Sequence, residues 1–382
     1  MKLSLRVILI SATAAAVSHA APFMAIGDGA ELFATGRIGV RADDNILLTD
    51  DARKLSDVIL EVAPGLELSF GKNAQLQGSL TLVDTFSFYA TNSRYDTQLF
   101  AGNFVTKYDD AKMKMGFNAG YNELNQNTVD VRGLVRRDVA TAGVNGEINI
   151  SELTSVGAAL NYTHENYHPR NYVDSDVVNV PLNFYYRWTP KLDAAFGYTY
   201  SEYEAEGAAL DSQDHFYNVG LRGEFTPKLT GKVAVGLIQR EFQRGAIGDK
   251  SMFGLDASLA YEITPKSAVQ IGASNQFGTS PQGQQQENLT FNVLGTTKLT
   301  EELSLNAGVS YRGISYDAVR TGTVLTTPSR TDDYYEVVVG GAYVVNANLR
   351  IVGAYTFRTY QSDLSGSDFE NNVFSFAANI RY

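Results

Sequence analysis

Apolar and polar side chains alternate along most of this 382-residue chain, and this alternation restricts its fold more than any other feature. In the last segment one face carries apolar side chains, namely Phe374, Phe376, Ala378, Ile380 and Tyr382, and small or polar residues separate them. Successive side chains of a β-strand point to opposite faces, so each such segment predicts a strand with one apolar face. Turn residues divide the chain into about 18 such segments. No segment has the period of an amphipathic helix.

The predicted strands are long, and the connections between them alternate in length. Most strands have about 12 residues or more, which exceeds the roughly 9–11 that cross a bilayer at a tilt. Three Thr-Pro-Lys turns occupy 189–191, 226–228 and 264–266, whereas long loops are predicted at 123–137 and 316–332. Short turns at one end and long loops at the other are typical of outer-membrane barrels. We therefore expect the short turns and both mature termini on the periplasmic side.

Aromatic residues on the apolar faces form two groups, one near each end of the predicted strands. The group beside the short turns comprises Phe70, Tyr108, Trp188, Phe225, Tyr261, Tyr343 and Tyr382. The group beside the long loops comprises Phe88, Tyr121, Tyr162, Tyr198, Tyr217, Phe253, Tyr311, Tyr335, Tyr355 and Phe374. Two aromatic bands are what two lipid–water interfaces select, whereas a soluble β-sandwich would concentrate aromatics at strand centres. The sequence therefore predicts a closed transmembrane antiparallel β-barrel of about 18 strands.

The N-terminus has the features of a secretory signal. Lys2 and Arg6 precede a short apolar stretch, and Ser18-His19-Ala20 has small residues where a signal peptidase reads the chain. We predict a signal peptide over residues 1–20, cleaved near Ala20, and a single outer-membrane barrel over residues 21–382. A short N-terminal anchor helix is the alternative, which the cleavage site disfavours.

Composition excludes several classes of protein. The 31 basic residues against 42 acidic ones give a net charge of −11, which argues against a nucleic-acid-binding surface. The chain has no cysteine, so it has no disulfide scaffold and no thiolate zinc site. Beyond the N-terminus, no apolar run reaches the roughly 20 residues that a membrane-spanning helix needs.

Some motifs resemble those of a known family. Asp43-Asp44-Asn45-Ile46 ends the first strand, Ser56-Asp57 and Pro64-Gly65-Leu66 lie in the second, and Phe374, Phe376, Ile380 and Tyr382 form a terminal aromatic-apolar pattern. From about Gly36 to Tyr382 the chain resembles outer-membrane β-barrel porins that are often encoded with exopolysaccharide export systems. The terminal pattern resembles the assembly signal that the barrel assembly machinery reads. The resemblance implies a channel in the outer membrane of a Gram-negative bacterium and supplies no catalytic residue.

Two groups of residues could suggest chemistry. His164 and His168 have the H-E-x-x-H spacing of zinc proteases, which requires a helix, but in a strand they lie about 13 Å apart. His215 could approach acids near the 165–175 loop and form an acid–base site, although acidic loops are usually solvated surface. We therefore predict that the chain has no catalytic residue and no cofactor and is not an enzyme.

Four acids near the first strand could bind a divalent cation, namely Asp43, Asp44, Asp50 and Asp51. Their spacing does not match a calcium-binding loop. Asp43-Asp44-Asn45 could equally terminate the first strand. The acids could also form a solvated rim that meets cation-bridged lipopolysaccharide. We predict no resident metal.

The polar faces of the strands predict the lining of a pore. On the wall formed by the last four strands and the first, the predicted lining residues are Arg37, Arg41, Arg312, Glu336, Arg350, Arg358 and Arg381. Six arginines against one glutamate predict a positive wall and a preference for anions or acidic sugars. Eighteen strands make a barrel too wide for side chains alone to fill, so a plug would come from loops 123–137 or 316–332, or from a partner.

We therefore expect an outer-membrane channel for passive passage of a hydrophilic solute, anionic or saccharide in character. The expected partners are outer-membrane lipid, lipopolysaccharide and the barrel assembly machinery, with no nucleic acid. Two alternatives stay open: a component of an exopolysaccharide export apparatus, and a structural or adhesive barrel that acts through its loops.

Overall fold

The computed structural model describes residues 22–382 except 28, 128, 132, 208–210, 244–247 and 322–323. Over 319–321 and 324–327 it describes the backbone alone. The predicted signal peptide, residues 1–20, lies outside the described residues.

Eighteen antiparallel strands form one closed barrel, which confirms the fold that the alternation predicts. They are β2 (Ala30–Asp43), β3 (Asp57–Phe70), β4 (Leu76–Tyr89), β5 (Thr97–Asp109), β6 (Met113–Asn127), β7 (Leu134–Asn149), β8 (Thr154–Tyr167), β9 (Ser175–Thr189), β10 (Leu192–Ala205), β11 (Ser212–Thr226), β12 (Leu229–Phe242), β13 (Lys250–Thr264), β14 (Ser267–Thr279), β15 (Gln285–Lys298), β16 (Leu303–Tyr316), β19 (Arg330–Val344), β20 (Leu349–Ser362) and β21 (Phe369–Arg381). Three short strands accompany them: β1 (Met24–Ile26), β17 (Val319–Thr321) and β18 (Val324–Thr327). The described residues contain two single-turn 3-10 helices, Asp51–Arg53 and Ser93–Tyr95.

The barrel closes where the last strand pairs with the first. β21 runs antiparallel to β2 from Thr35 opposite Arg381 to Asp43 opposite Val373. Tyr382 extends this ladder, because its N–H and C=O bond the C=O and N–H of Ala34 at 2.8 and 2.7 Å. Beyond Tyr382, β1 pairs with the first residues of β2. The edge of β2 that meets β21 is therefore hydrogen-bonded on both sides of Ala34.

Exposed apolar side chains cover the outside of the barrel, and the side chains next to them in sequence point to the inner face. On β2 the outward Ile38 keeps 55% of its surface exposed, while Phe33 on the opposite face is buried. On β21 the outward Phe374 and Phe376 are each 60% exposed, and Val373 on the other face is buried. Among the described residues, no helix has the length and apolar character to cross a membrane.

Two of the predicted loops are shorter or more ordered than expected. Residues 123–137 were expected to form one long loop, but β6 runs to Asn127 and β7 begins at Leu134. The predicted loop 316–332 contains the β17–β18 hairpin. Both segments lie at the long-loop end. Strands that project beyond the lipid need no apolar face, so the alternation that reveals the other strands is missing there.

The Pro64-Gly65-Leu66 motif lies within β3, where it interrupts the ladder with β4. Pairing stops at Val62 and resumes at Gly65, because proline has no N–H to donate. A Cβ at Gly65 would come within 2.7 Å of both the Leu82 carbonyl oxygen and Thr35 Oγ1. Only glycine therefore allows this close approach of β2, β3 and β4.

Candidate pore and the loops that narrow it

The seven residues predicted to line a pore lie on the face opposite the exposed apolar side chains. Six of them form ion pairs: Arg37 with Glu61 at 3.8 Å, Arg41 with Glu61 at 3.5 Å and with Asp43 at 3.4 Å, Arg358 with Glu336 at 3.1 Å, Arg381 with Glu67 at 3.0 Å, and Arg312 with Asp130 at 3.0 Å. Arg350 lies opposite Val344 and Asn379 in the two neighbouring ladders.

These ion pairs change the charge balance expected for this wall. The predicted excess of five positive charges counted Glu336 alone among the acids. Glu61 and Glu67 stand on β3, the next strand around the barrel, and Asp130 stands in a distant loop. Each neutralises an arginine of the wall, so the wall is closer to neutral than the strand count indicates.

Asp130 belongs to a six-residue loop, 128–133, that joins β6 to β7, and its partner Arg312 lies on β16. Around the closed sheet, β6 is four strands from β2, and β16 is four strands from β2 in the other direction. The pair thus joins walls eight strands apart in a ring of eighteen, which is nearly opposite. We call its described residues 129–131 the crossing loop, because the Asp130–Arg312 contact requires them to cross the lumen.

The strands that carry the crossing loop separate from their neighbours near its base. β5 and β6 pair only as far as Ala101 opposite Asn122, while β6 and β7 remain paired up to Asn127 and Leu134. At the point of separation, Glu123 Oε2 accepts a hydrogen bond from the Phe100 N–H at 3.0 Å. A carboxylate therefore replaces the missing backbone partner, and the tip of the β6–β7 hairpin is free of β5.

Arg312 holds Asp130 with both terminal nitrogens of its guanidinium. Nη1 donates to Oδ2 at 3.0 Å, and Nη2 donates to Oδ1 at 3.2 Å. Gln286 Nε2 adds a long contact to Oδ1 at 3.4 Å, and Gln282 Nε2 donates to the Asp130 carbonyl oxygen at 3.3 Å. Paired hydrogen bonds of this kind fix orientation as well as charge. The loop tip is thereby attached to β15, β16 and the connection between β14 and β15.

The surroundings of Asp130 act on its pKa in opposite directions. Burial alone would raise the pKa of this carboxyl, but the charge and hydrogen bonds of Arg312, the hydrogen bond of Gln286 and the charge of Arg137 together hold the pKa below its ordinary value. The carboxylate form is therefore the one that the crossing loop presents at neutral pH.

Two apolar clusters hold the crossing loop on either side of Asp130. Val129 packs in a cluster of buried side chains on the inner face of the far wall, namely Leu48, Ile314, Tyr316, Tyr334, Tyr360 and Phe369. Val131 packs near the loop's own strands against Val135, Tyr167 and Tyr172. We call the first group the Leu48 cluster. Alternate residues of the loop thus contact opposite sides of the lumen, and burial of their side chains stabilises this arrangement.

The loop between β2 and β3, residues 44–56, also folds inward. Leu48 is only 2% exposed in the Leu48 cluster, and it adopts a left-handed backbone conformation with φ of 49°. Asn45 holds this turn, because its side chain accepts the Thr49 N–H at 3.0 Å and donates to the Thr49 carbonyl at 2.7 Å. Asn127 Nδ2 bonds the Ile46 carbonyl at 2.8 Å and thus joins this loop to the base of the crossing loop.

The Asp43-Asp44-Asn45 motif anchors this loop to the closing strand. Asp43 Oδ1 accepts a hydrogen bond from Asn371 Nδ2 at 2.7 Å, and the Asp44 carboxylate accepts two from the backbone and side chain of Asn372 at 2.6 and 2.8 Å. Within the part of the chain that the structure describes, no group of three or more potential metal ligands occurs. The geometry favours strand termination over a cation site for this motif.

Other long loops meet over the same end of the barrel. The Val173 N–H bonds the Pro281 carbonyl at 2.8 Å, which connects the β8–β9 loop to the β14–β15 loop. Tyr172 donates its hydroxyl to the Val131 carbonyl in the crossing loop at 3.1 Å. These contacts narrow the long-loop end of the lumen.

Another bidentate arginine pair lies nearer the short turns. Arg222 on β11 binds Glu147 on β7 at 2.6 and 2.7 Å, and its Nε donates to Asp193 at 3.1 Å. Its guanidinium lies 3.2 Å from the ring centroid of Tyr185. The pair spans the three intervening strands β8, β9 and β10 along the inner wall, and neither of its residues stands in a loop.

The three histidines among the described residues have separate partners. His164 contacts Asp176 at 2.9 Å, whereas His168 contacts Asp138 at 3.2 Å, so the two do not share a partner. His215 Nδ1 bonds the hydroxyl of Tyr198 at 2.8 Å.

With the barrel and its inner loops described, the chain can be compared with known proteins. Its sequence matches the family described as Putative beta-barrel porin 2 over residues 32–382. The chain belongs to this family. It is therefore an outer-membrane β-barrel porin, and the family assignment implies a channel rather than an enzyme. No curated protein matches the sequence.

Several solved structures are similar to this chain at low sequence identity. OccAB4 of Acinetobacter baumannii has a TM-score of 0.50 and 9% identity, covering 92% of this chain and 98% of its own. OccAB3 of Acinetobacter baumannii has a TM-score of 0.48 and 11% identity, covering 94% of this chain and 100% of its own. The opdK protein of Pseudomonas aeruginosa has a TM-score of 0.48 and 9% identity, covering 93% and 99%. Identities this low concern the fold alone.

In this porin the residues of the proposed assembly signal all point outward from the closing strand. Phe374, Phe376, Ile380 and Tyr382 keep 60%, 60%, 45% and 62% of their surfaces exposed. The ring of Phe374 packs on Tyr355 with 4.7 Å between centroids. Recognition by the assembly machinery stays a prediction, with the side chains placed where lipid or another protein reaches them.

The sequence alone did not predict the residues that narrow the lumen of the porin. Asp130 was expected only as part of a long loop, and the Leu48 cluster was not expected. One signal was available: Ile314, Tyr316, Tyr334 and Tyr360 are large apolar or aromatic residues on the polar parity of their strands. Such residues on a lumen face need a covering group, and Val129 and Leu48 supply it.

Proposed function

We propose that this porin lets small hydrophilic solutes cross the outer membrane passively, and that the crossing loop sets the width of the passage. The observation that carries this proposal is the attachment of Asp130 to Arg312 on the opposite wall. The inner face around it holds ion-paired arginines that are compatible with water in the lumen.

Within this proposal the solute is anionic or saccharide in character. The arginines of the wall supply directed N–H donors, which suit carboxylates and sugar hydroxyls alike. Since most of these arginines have acidic partners, we expect the predicted preference for anions to be modest.

The conformation of the loops bears on the two alternative functions. An exported polysaccharide chain would have to displace the crossing loop, and the export role rests on the sequence resemblance alone. An adhesive barrel needs loops that reach outward, whereas residues 44–56 and the crossing loop pack against the inner wall. A channel for small solutes fits these contacts better than either alternative.

Conductance in planar bilayers tests the proposal, with the reversal potential measured in a salt gradient. We expect small, stable single-channel currents and a modest preference for anions. Arg358→Glu should shift the reversal potential toward cations, while Arg187→Gln near a short turn serves as a charge-removing control with a smaller shift. Absence of conductance from the folded protein would contradict the channel function.

A further inference from the structure

Arg312 presents two edges of its guanidinium, and each edge has a different partner. Nε and Nη2 donate to Asn288 Oδ1 at 3.0 and 2.8 Å, on the neighbouring strand β15. Nη1 and Nη2 hold the carboxylate of Asp130. Asn288 and Gln286 are both buried. The wall therefore fixes the guanidinium in place. Its second edge, formed by Nη1 and Nη2, points into the lumen and can bind a carboxylate there.

We propose that Arg312, Asn288 and Gln286 form a binding site for the carboxylate group of a permeating solute, and that Asp130 occupies this site as an internal ligand when no solute is present. The inference rests on the proposed channel function and names the solute class of that channel. Binding of the solute displaces Asp130, and the crossing loop leaves the far wall.

The contacts favour a carboxylate over other solutes. A planar guanidinium whose free edge offers two parallel N–H donors matches a two-oxygen carboxylate. The structure shows this match directly, since a carboxylate is the group bound there. A neutral amide of the same shape offers one acceptor oxygen and no charge, so it competes poorly.

The position of Asp130 allows a solute carboxylate to replace it beside Arg312. The acids that pair with the other arginines of the wall do not allow such a replacement. Glu67 and Glu336 stand within strands whose register fixes them beside Arg381 and Arg358. Asp130 stands in a loop, and its side chain keeps 23% of its surface exposed while that of Arg312 keeps 12%. Solute can therefore reach the pair, and the loop can move away without breaking a strand ladder.

A tethered carboxylate competes with free solute at an effective concentration in the millimolar range or above. Removing the charge of Asp130 should therefore strengthen solute binding. In planar bilayers, we expect propionate to reduce the chloride current by half at a concentration about ten-fold lower in Asp130→Asn than in the unmodified protein. Propionamide, the neutral isostere, should have no comparable effect in either protein.

Two controls isolate the site. The double variant Asp130→Asn, Arg312→Gln should lose the sensitivity to propionate. Glu147→Gln, which changes the Arg222–Glu147 pair instead, should respond to propionate as the unmodified protein does. Heat-modifiable migration confirms that each variant is folded. Equal propionate sensitivity in the unmodified protein and Asp130→Asn, in channels that conduct, would overturn the internal-ligand site alone. No conductance in any folded variant would overturn the channel function on which it rests.

Discussion

Two of the bidentate arginine pairs of the barrel use the same chemistry in different structural settings. Arg222 binds Glu147 at 2.6 and 2.7 Å, and Arg312 binds Asp130 at 3.0 and 3.2 Å. The first, which we call the wall pair, joins inner-face residues of β7 and β11 past Tyr185. The second, the loop pair, attaches the crossing loop to the opposite wall. The difference lies in what each acid is attached to.

An acid within a strand can leave its arginine only if the sheet deforms, whereas an acid in a loop can leave while the barrel stays intact. The wall pair should therefore contribute to barrel stability and have little influence on the passage. The loop pair should influence the passage and contribute little to the stability of the strands. The following predictions test that division, beginning with a change that removes both pairs.

Deleting Tyr382 should have the largest effect, because neither pair can form unless the barrel closes. Tyr382 makes two backbone hydrogen bonds to Ala34 across the seam, and its exposed ring belongs to the proposed assembly signal. We expect a large loss of the folded, heat-modifiable form on gel electrophoresis. Tyr382→Phe keeps the backbone bonds and an aromatic ring, so it should fold nearly normally. Normal insertion of the deletion variant would contradict the assembly role.

Arg312→Glu should separate the two pairs most clearly. It places a second carboxylate opposite Asp130, and breaking a largely buried ion pair costs about 3–5 kcal/mol. We expect the crossing loop to leave the far wall, with a several-fold rise in single-channel conductance. Arg222→Glu, the matched change at the wall pair, should leave the conductance nearly unchanged and lower the thermal stability instead. Equal conductance changes in the two variants would remove the distinction.

Acid should act on the loop pair with a definite sign. Burial raises the pKa of Asp130, but Arg312, with smaller effects of Gln286 and Arg137, lowers it below its ordinary value, so the attachment is fully present above the ordinary aspartate pKa. It is lost as the pH falls below about 4, through the lowered pKa. We expect conductance at constant salt to rise over that interval. In Asp130→Asn this transition should disappear, and its persistence there would assign it to another carboxylate.

Glu147→Gln should have the smallest effect on the passage. Arg222 keeps Asp193 as an acidic partner and Tyr185 as a stacking surface. We expect unchanged conductance and a decrease of a few degrees in the thermal unfolding midpoint. A clear change in conductance would show that the wall pair also borders the narrowest part of the lumen.

The architecture was predictable because lipid imposes a pattern that can be read residue by residue. Outward residues such as Ile38 and Phe376 must be apolar over the full membrane thickness, so the strands can be recognised in the sequence by the alternation of apolar and polar residues. The seam between β2 and β21 followed from the need to leave no open edge in lipid. Beyond the lipid this requirement ends, which is why the ends of β6 and β7 and the β17–β18 hairpin were not predicted as strands.

The narrowing of the pore was not predictable in the same way. Asp130 and Arg312 are 182 residues apart in the chain, and no periodic pattern connects a loop to a particular opposite strand. The arginines themselves were predicted from parity, but the acidic partners of several of them lie outside the strands of that wall: Glu61 and Glu67 on β3, and Asp130 in a predicted loop. The charge of one wall therefore could not be judged from its own strands alone.

Charge exchange across the lumen tests the central claim most directly, which is that Asp130 and Arg312 attach the crossing loop to the opposite wall. Single-channel conductance would be measured for Asp130→Arg, for Arg312→Asp and for the variant that carries both changes. Each single change places like charges together, so conductance should rise, and the double change restores an opposite-charge pair, so conductance should return toward the unmodified value. A double variant that conducts as much as either single one would contradict the claim.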